Sequence, residues 1–370
     1  MRFAVFDETN DGETRVALVP DAVKMLLKKQ HAVSVQSGAG RAASIPDAQF
    51  AAAGAQLAAD PAQLARDADC LLRVGAVTRE QAAGFPEGKA LIGFLAPLRN
   101  AELLHLLAQR RLTGFSLDAI PRISRAQSMD TLSSMATIAG YKAVLLAAAA
   151  LPKFLPMLTT AAGTIRPSQA LILGAGVAGL QAIATARRMG AVVEAFDVRA
   201  AVKEQIKSLG ATFVEVPNQE NLEGQGGYAK EVSAETLARQ RQLLHERAKV
   251  ADFIISTAQV PGKPAPRLIT KEMVADMKPG SVIVDLAAES GGNCELTQPG
   301  QTVRAHGVTI LGPINLAASM PLDASRMFAR NLANFILEIT NEKGLTMDWK
   351  NEIFAATCVT HGGQLTRKAP

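Results

Sequence analysis

The chain has 370 residues, of which 48% are hydrophobic, 20% are charged and 4% are aromatic. This length favours two compact domains, and the composition excludes a wholly disordered chain. Lys and Arg outnumber Asp and Glu by 39 to 34. Because these charges are interleaved and aromatic residues are few, we expect no nucleic-acid partner.

The sequence predicts neither a membrane span nor a secretion signal. The longest strongly apolar stretch, 143–151, ends at Pro152 and falls short of the roughly 20 residues that a bilayer-spanning helix needs. Asp7 and Glu8 follow the first apolar residues too closely for a signal peptide. The three cysteines form no CxxC pair and the five histidines show no metal-ligand spacing. We therefore expect reduced thiols, no metal and a cytoplasmic location.

In the N-terminal third of the chain, short β-like runs alternate with helical ones. The predicted strands are 2–6, 32–36, 70–74, 90–95 and 113–116, and the predicted helices are 20–30, 47–54, 60–67 and 101–110. A longer Ala-rich helix is predicted over 133–151. This alternation is typical of a parallel sheet that helices cover on both faces.

A second strand–helix series begins after Pro167. Its predicted strands are 170–173, 192–196, 212–215, 253–256, 282–285 and 309–311, the six strands expected of a complete dinucleotide-binding domain. A long Gly-, Asn- and Gln-rich segment, 217–232, interrupts it, and an amphipathic helix over 324–339 is predicted to return to the first domain. We predict an α/β protein with two Rossmann-like parallel-sheet domains, the first discontinuous and the second a complete dinucleotide-binding fold. Their predicted bounds are 1–132 plus 322–370 and 133–321.

Gly174, Gly176 and Gly179 form a GxGxxG pattern after the first strand of the second series. In this motif the first glycine allows a tight turn, the second lets the backbone approach a pyrophosphate, and the third lets the following helix pack on the sheet. Asp197 ends the next strand, where a carboxylate accepts hydrogen bonds from a ribose 2′-OH and repels a 2′-phosphate. The motif predicts binding of NAD(H) rather than NADP(H), and Arg199 nearby weakens that preference.

Two more segments are candidates for ligand binding. Residues 256–262 leave the fourth strand of the series at the carboxyl edge of the sheet, where ligands bind in open α/β folds. Residues 226–228 could hinge over the adenosine end, and a disordered insertion is the alternative.

The polar segment 121–133 is predicted to lie at the junction of the two domains. It includes Arg122, Arg125, Gln127, Asp130 and Ser133, which could orient a carboxamide and a phosphate but supply no general base near neutral pH. An ion-paired hinge is the alternative. No arrangement of Ser, Cys and His predicts a nucleophile with its base.

Longer runs carry a family resemblance over nearly the whole chain, from RVALVP (15–20) to TCVT (357–360). They are PRISRAQSMDTLSS (121–134), AGYKAV (139–144), LGAGVAGLQAIATARRMGAVVEAFDVRAA (173–201), GGYAKE (226–231), PGKPAPRLIT (261–270) and KPGSVIVDLAAESGGNCELT (278–297). The chain resembles the NAD(H)-binding alpha component of proton-translocating NAD(P) transhydrogenases. The RISRAQSMD run is the most specific element, because it is not a general Rossmann feature.

The resemblance implies that this chain binds NAD(H) and passes hydride directly to NADP(H) on a partner. Arg122, Gln127 and Asp130 would hold the dihydronicotinamide, and Ser133 would bind its carboxamide. Positioning and exclusion of water would carry the catalysis, since no acid–base residue is needed. The other implied nucleotide-binding residues are Ser128, Met129, Gly174, Ala175, Gly176, Val177, Gly179, Asp197, Val198, Arg199, Gly227, Tyr228, Gln240, Ala258 and Gln259.

The resemblance also implies partners and a location. The expected partners are an NADP(H)-binding component, a membrane proton-channel component and a second copy of the chain in a homodimer. The chain would be inactive alone and would lie on the cytosolic face of the inner membrane through those partners.

Alanine dehydrogenase shares this two-domain architecture and is the nearest alternative. Arg15 matches its substrate-carboxylate arginine, whereas Arg73 replaces its substrate lysine, Phe94 its catalytic histidine and Glu289 an aspartate. Transhydrogenase components commonly keep a histidine at the Phe94 position too. The absence of this histidine counts more heavily against amino-acid oxidation, which needs a proton acceptor, than against direct hydride exchange. A non-catalytic NAD-sensing module is the third alternative.

Overall fold

The computed structural model describes residues 1–215, 234–260 and 262–366. The chain divides into two compact units. The first unit comprises Met1–Met135 and Ala317–Pro370, and the second comprises Ala136–Leu316. Each unit is an α/β fold built on its own sheet, so the predicted fold class is confirmed.

The strands are numbered in chain order. They are β1 (Arg2–Val5), β2 (Ala32–Gln36), β3 (Gln56–Ala58), β4 (Cys70–Leu72), β5 (Ala90–Gly93), β6 (Thr113–Ser116), β7 (Leu158–Thr160), β8 (Gly163–Ile165), β9 (Gln169–Leu173), β10 (Val192–Phe196), β11 (Thr212–Phe213), β12 (Phe253–Ser256), β13 (Val282–Asp285), β14 (Thr302–Ala305), β15 (Val308–Leu311), β16 (Thr340–Asn341), β17 (Gly344–Leu345), β18 (Cys358–His361) and β19 (Gln364–Leu365).

The α-helices are numbered in the same way. They are α1 (Pro20–Leu27), α2 (Asp47–Ala52), α3 (Pro61–Asp67), α4 (Arg79–Gly84), α5 (Ala101–Gln109), α6 (Thr131–Ala150), α7 (Val177–Arg188), α8 (Lys203–Ser208), α9 (Ala234–Val250), α10 (Lys271–Ala275), α11 (Pro321–Ile339) and α12 (Glu352–Thr357). A 3-10 helix, Ser124–Met129, precedes α6.

The described part of the first unit has an eight-stranded sheet in the order β19-β18-β6-β5-β4-β1-β2-β3. Strands β1 to β6 are parallel, and β18 and β19 extend the sheet as an antiparallel pair. The chain moves from β1 to one side and then returns to β4 on the other, so the strand order reverses between β1 and β4. Strand β3 was not predicted, because its three residues lie at the sheet edge and none is fully buried.

The described part of the second unit has a seven-stranded sheet in the order β11-β10-β9-β12-β13-β15-β14. It contains the six predicted strands in parallel, and β14 adds an antiparallel edge that the sequence-based count missed. Alternate residues of β9 enter two apolar clusters, Ala170 and Ile172 one, Leu171 and Leu173 the other. Helices therefore cover both faces of this sheet, as the sequence predicts.

Helix α6 (Thr131–Ala150) agrees within two residues with the predicted helix over 133–151, whereas the predicted absence of a membrane span rested on the shorter apolar stretch 143–151. Its 20 residues are long and apolar enough to cross a bilayer by length and composition alone. Such a helix is weak evidence of a span, because core helices meet the same criterion. Ala143, Val144 and Ala147 on this helix belong to an apolar cluster of the second unit.

The returning helix of the sequence prediction is α11. It begins at Pro321, a residue type favoured in the first turn, and its buried residues lie on one face. The ring of Phe335 packs edge-on against Phe115 of β6 at 6.0 Å between ring centroids. Helix α11 therefore belongs to the core of the first unit.

Candidate functional site

The second unit places its glycine-rich turn where the strand order reverses. Strand β9 lies between β10, which follows it in the chain, and β12, which comes later. Gly174 follows the carboxyl end of β9, and Thr257 follows that of β12. In open α/β sheets this crevice is where ligands bind.

Each glycine of the turn has a different steric surrounding. Gly174 has φ +95°, a left-handed conformation that favours glycine. A Cβ on Gly179 would lie 1.9 Å from the Gly174 carbonyl oxygen, so α7 and the turn touch through bare backbone. A Cβ on Gly176 would meet nothing within 4 Å. The turn is closed on its protein side and open at Gly176, which fits the approach of a dinucleotide pyrophosphate.

Asp197 stabilises this turn through a hydrogen bond. Its Oδ2 accepts a hydrogen bond from the Ala175 N–H at 2.7 Å, and the residue is 8% exposed. Arg199 donates to the same carboxylate from Nε at 2.9 Å and from a terminal guanidinium nitrogen at 2.8 Å. Burial raises the pKa of Asp197, but hydrogen bonds from Arg199 and Ala175 outweigh it and hold the pKa below its ordinary value. Asp197 is therefore ionised and already paired.

Asn293 and Asp285 hold the segment that follows β12, and sequence reasoning missed both. The Asn293 side chain accepts from the Ala258 N–H at 3.1 Å and donates to the Ala258 carbonyl at 2.9 Å. Asp285, fully buried, accepts from the Asn293 N–H at 2.7 Å. Gln259, which is exposed, donates to the Leu286 carbonyl at 3.0 Å. The signal available in the sequence was an Asn shortly after a buried strand that ends in Asp.

The other predicted residues of the second unit fall into three groups. Val177 is exposed and Val198 is half-buried. Gln240 is buried on α9, and its Nε2 has no hydrogen-bond partner among the described residues. A buried amide without a partner is costly, so this group fits a polar ligand atom. Gly227 and Tyr228 lie outside the described residues.

The polar segment 121–133 belongs to the first unit. Arg122, Gln127 and Ser128 are exposed there, whereas Met129 is buried. Asp130 accepts the N–H of Ser133 at 2.8 Å and the Ser133 hydroxyl at 2.6 Å, an arrangement that caps the first turn of α6. Asp130 and Ser133 are thus brought together by the helix start, and the exposed groups remain accessible.

Helix α11 fixes the backbone of this segment through residues that the sequence analysis did not single out. The side chains of Asn331 and Asn334 both donate to the Ser128 carbonyl, at 2.8 and 3.0 Å. Arg125 donates to Glu338 at 2.8 Å, so it anchors the segment. The three helix residues lie at i, i+3 and i+7, a polar stripe on one face that could have indicated a shared contact.

In the first unit, a cluster of charged side chains lies where the strand order reverses, after β1 and β4. Arg73 Nε lies 3.2 Å from Glu8, and a terminal nitrogen lies 2.7 Å from Asp11. Glu8 also accepts the N–H groups of Val74 and Gly75, each at 2.8 Å. Burial raises the pKa of Glu8 to about 7, although Arg73 and the two N–H groups lower it.

The residues compared with alanine dehydrogenase have partners of their own. Arg15 is buried and makes a two-point ion pair with Glu13, at 2.7 and 2.6 Å. The Phe94 ring packs edge-on against Phe328, with 5.6 Å between ring centroids. Phenylalanine has no titratable proton, so this position offers no acceptor for amino-acid oxidation. Across the described ranges, no group of His, Cys, Asp and Glu could hold a metal ion.

Comparison with known proteins agrees with this fold and turn. Two family models match, alanine dehydrogenase/PNT N-terminal domain over residues 4–139 and C-terminal domain over residues 143–368. The chain is 45% identical to an NAD(P) transhydrogenase subunit alpha protein of Rhodospirillum rubrum, over 100% of this chain and 98% of that protein. It is 32% identical to an alanine dehydrogenase of Halomonas elongata, over 100% of this chain and 95% of that protein.

A solved structure agrees as well. The transhydrogenase of Sinorhizobium meliloti matches with a TM-score of 0.90 and 41% identity, over 99% of this chain and 100% of that chain. The fold and the glycine turn therefore define an alanine dehydrogenase/PNT type of protein. Within that class, the chain belongs to the NAD(P) transhydrogenase subunit alpha family, which confirms the resemblance seen in the sequence.

Proposed function

We propose that the chain is the NAD(H)-binding component of a proton-translocating NAD(P) transhydrogenase. It would present NADH for direct hydride transfer to NADP⁺ on a separate NADP(H)-binding component, and a membrane proton-channel component would couple the transfer to proton movement. The observation that supports this most is the turn at Gly174–Gly179, closed by backbone at Gly179 and open at Gly176.

The residues of the second unit would bind the nucleotide. The N–H groups of the first turn of α7 have no carbonyl partners within the helix, and they would bind the pyrophosphate. Asp197 would accept ribose hydroxyls, and Gln240 Nε2, which has no hydrogen-bond partner within the described ranges, would donate to the nucleotide. Ala258 and Gln259, held by Asn293, would line the cofactor.

The residues of the first unit would position the reacting ring. NADH, when bound, supplies the hydride. Arg122, Gln127 and Asp130 would hold the ring and Ser133 its carboxamide, so the work of this chain is orientation and exclusion of water. Amino-acid oxidation is disfavoured because Phe94 cannot take up a proton.

Hydride exchange after reconstitution tests this proposal. The purified chain should bind NADH more tightly than NADPH, as followed by nicotinamide fluorescence, and should be inactive alone. With an NADP(H)-binding component added, it should exchange hydride between NADH and an NADP analogue. Activity with alanine or pyruvate in the absence of that component would instead indicate an amino-acid dehydrogenase.

The variant Gln127→Asn separates catalysis from sensing. Shortening this exposed side chain should slow hydride transfer by at least about tenfold, equal to about 1.4 kcal/mol of lost positioning. Gln63→Asn, an exposed position on α3, is the matched control and should transfer hydride normally. A Gln127→Asn chain that transfers hydride at the normal rate would contradict the assigned role.

We also propose a homodimer and a peripheral location. Three large apolar side chains are exposed on or just before the β7–β8 hairpin. Their exposed fractions are 55% for Phe154, 63% for Met157 and 38% for Ile165. Apolar side chains on a short, exposed two-stranded hairpin are typical of a contact surface. We propose that a second copy covers them, and that the proton-channel component keeps the assembly at the cytosolic face of the membrane.

A further inference from the structure

Asp197 has no free acceptor position in this structure. Oδ1 accepts the Arg199 N–H and Nε, both at 2.9 Å, and Oδ2 accepts the Ala175 N–H and the second guanidinium nitrogen. A carboxylate offers about four lone-pair directions, two on each oxygen. These four donors fill them. A ribose diol that hydrogen-bonds to Asp197 must therefore displace a donor that is already in place.

The backbone donors cannot leave without changing the fold of the turn. The Ala175 N–H belongs to the glycine-rich turn, and the Arg199 N–H lies two residues from the carboxylate that it contacts. The guanidinium is different, because it sits at the end of a flexible side chain that is 18% exposed. It is the part of this group that can move toward solvent, and its departure frees one direction on each carboxylate oxygen.

Arg199 also changes the charge that an incoming nucleotide meets. An ionised Asp197 alone repels a 2′-phosphate, whereas the two-point ion pair is close to neutral. A displaced guanidinium stays on a side chain only two residues from Asp197, and a guanidinium group can form two-point hydrogen bonds with phosphate. Arg199 therefore competes with the ribose of NADH for the Asp197 carboxylate, and it can also bind the 2′-phosphate of NADPH.

We propose that Arg199 is a specificity-determining residue that occupies the ribose site of Asp197 and reduces discrimination between NADH and NADPH. The inference rests on the proposed function, since it concerns the same nucleotide site. Arg199 acts on binding, through the carboxylate that it covers, and has no part in the hydride step.

The test is the ratio of NADPH to NADH dissociation constants for the full chain and its Arg199→Ala variant, measured by nicotinamide fluorescence. In the variant the NADH dissociation constant should fall about threefold and that of NADPH should rise about threefold or more. The ratio should therefore increase about tenfold, which is the product of the two changes. Titration with 2′,5′-ADP and 5′-ADP should give the same change, because the effect lies at the adenosine end.

Two further variants complete the test. Arg199→Lys keeps the charge without the two-point geometry, so its ratio should fall between those of the wild type and Arg199→Ala. Arg188→Ala removes a positive charge from the far end of α7, where the residue is exposed, and should leave the ratio unchanged.

The outcomes separate the two proposals. NADH binding with the same ratio in Arg199→Ala and Arg199→Lys as in the wild type would overturn this inference and leave the proposed function standing. Weaker NADH binding in a folded Arg199→Ala would also overturn it, since Arg199 would then be a ligand of NADH. A wild-type chain that binds neither nucleotide would overturn both.

Discussion

At the scale of single residues, two glycines of one turn have opposite requirements. Gly179 is enclosed, and a methyl group there would overlap the Gly174 carbonyl; Gly176 faces open space at φ −74°. The same residue type in one motif therefore serves the fold at one position and the ligand at the other. Stability and binding should respond separately to substitution at the two positions.

Alanine at each position distinguishes these roles. Gly179→Ala should destabilise the chain by about 1–3 kcal/mol, because the backbone must shift to admit the methyl group. Gly176→Ala should leave stability unchanged or raise it by about 0.5 kcal/mol, since alanine adopts this conformation readily. It should nevertheless weaken NADH binding about tenfold by occupying ligand space. Urea unfolding and NADH titration measure the two effects, and equal loss of stability in both variants would contradict the assignment.

Glu8 gives the first unit a pH dependence of its own. Its pKa in the folded chain is about 7, above the ordinary value of 4.5. Between these values the folded chain keeps a proton that the unfolded chain loses, so this contribution is complete below pH 4.5 and is lost as pH rises through 7. The loss should be on the order of 3 kcal/mol.

The variant Glu8→Gln tests that dependence. The free energy of unfolding should fall from pH 4.5 to 7 in the wild type, and the slope should flatten in the variant whatever its absolute stability. Glu102→Gln, a side chain 74% exposed, is the control and should keep the wild-type slope. A Glu8→Gln profile parallel to the wild type would show that another group carries the dependence.

At the scale of elements, a helix distant in sequence holds the segment proposed to position the nicotinamide. The 3-10 helix Ser124–Met129 is only six residues long, and its Ser128 carbonyl accepts two hydrogen bonds from α11. Helix α11 itself is fixed by aromatic packing against the sheet, as at Phe335 and Phe115. The packed core of the first unit therefore holds the short polar segment 124–129 in place through α11.

Removing both asparagines should loosen that segment. In the double variant Asn331→Ala and Asn334→Ala, the reconstituted hydride-transfer rate should fall about tenfold, because small misplacements of positioning groups are costly. The NADH dissociation constant should change less than about twofold, since the adenosine end is bound elsewhere. Arg326→Ala, exposed on the same helix, is the matched control. A normal transfer rate in a folded double variant would exclude this positioning role.

At the scale of the whole molecule, the proposed homodimer has a defined candidate surface. Met157 lies just before β7 and Ile165 lies in β8. Both are among the exposed large apolar side chains. The double variant Met157→Asp and Ile165→Asp should therefore be monomeric at concentrations where the wild type is dimeric, as measured by analytical ultracentrifugation. Leu98→Asp, at a position 51% exposed in the first unit, should remain dimeric. Retention of the dimer by the hairpin variant would place the interface elsewhere.

Most of the elements could be predicted locally. Strands such as 32–36, 192–196 and 253–256 have the predicted bounds because a buried parallel strand is a short apolar run between turn residues. Two of the missed strands, β3 and β14, lie at sheet edges, and none of their residues is fully buried. Helix α9 was missed for a similar reason, since its sequence is largely polar.

The sequence by itself determined the fold class, the glycine turn and the family, because each depends on residues close together in the chain. The tertiary structure decided which groups are already paired. Asp197 reads as a free ribose acceptor in sequence, yet folding places Arg199 and Ala175 on its oxygens. Asn293 and Asn331 reach their partners only through long-range packing. The Arg199 contact is local, only two residues away, whereas the contacts of Ala175, Asn293 and Asn331 span 22, 35 and 203 residues and therefore depend on the tertiary fold.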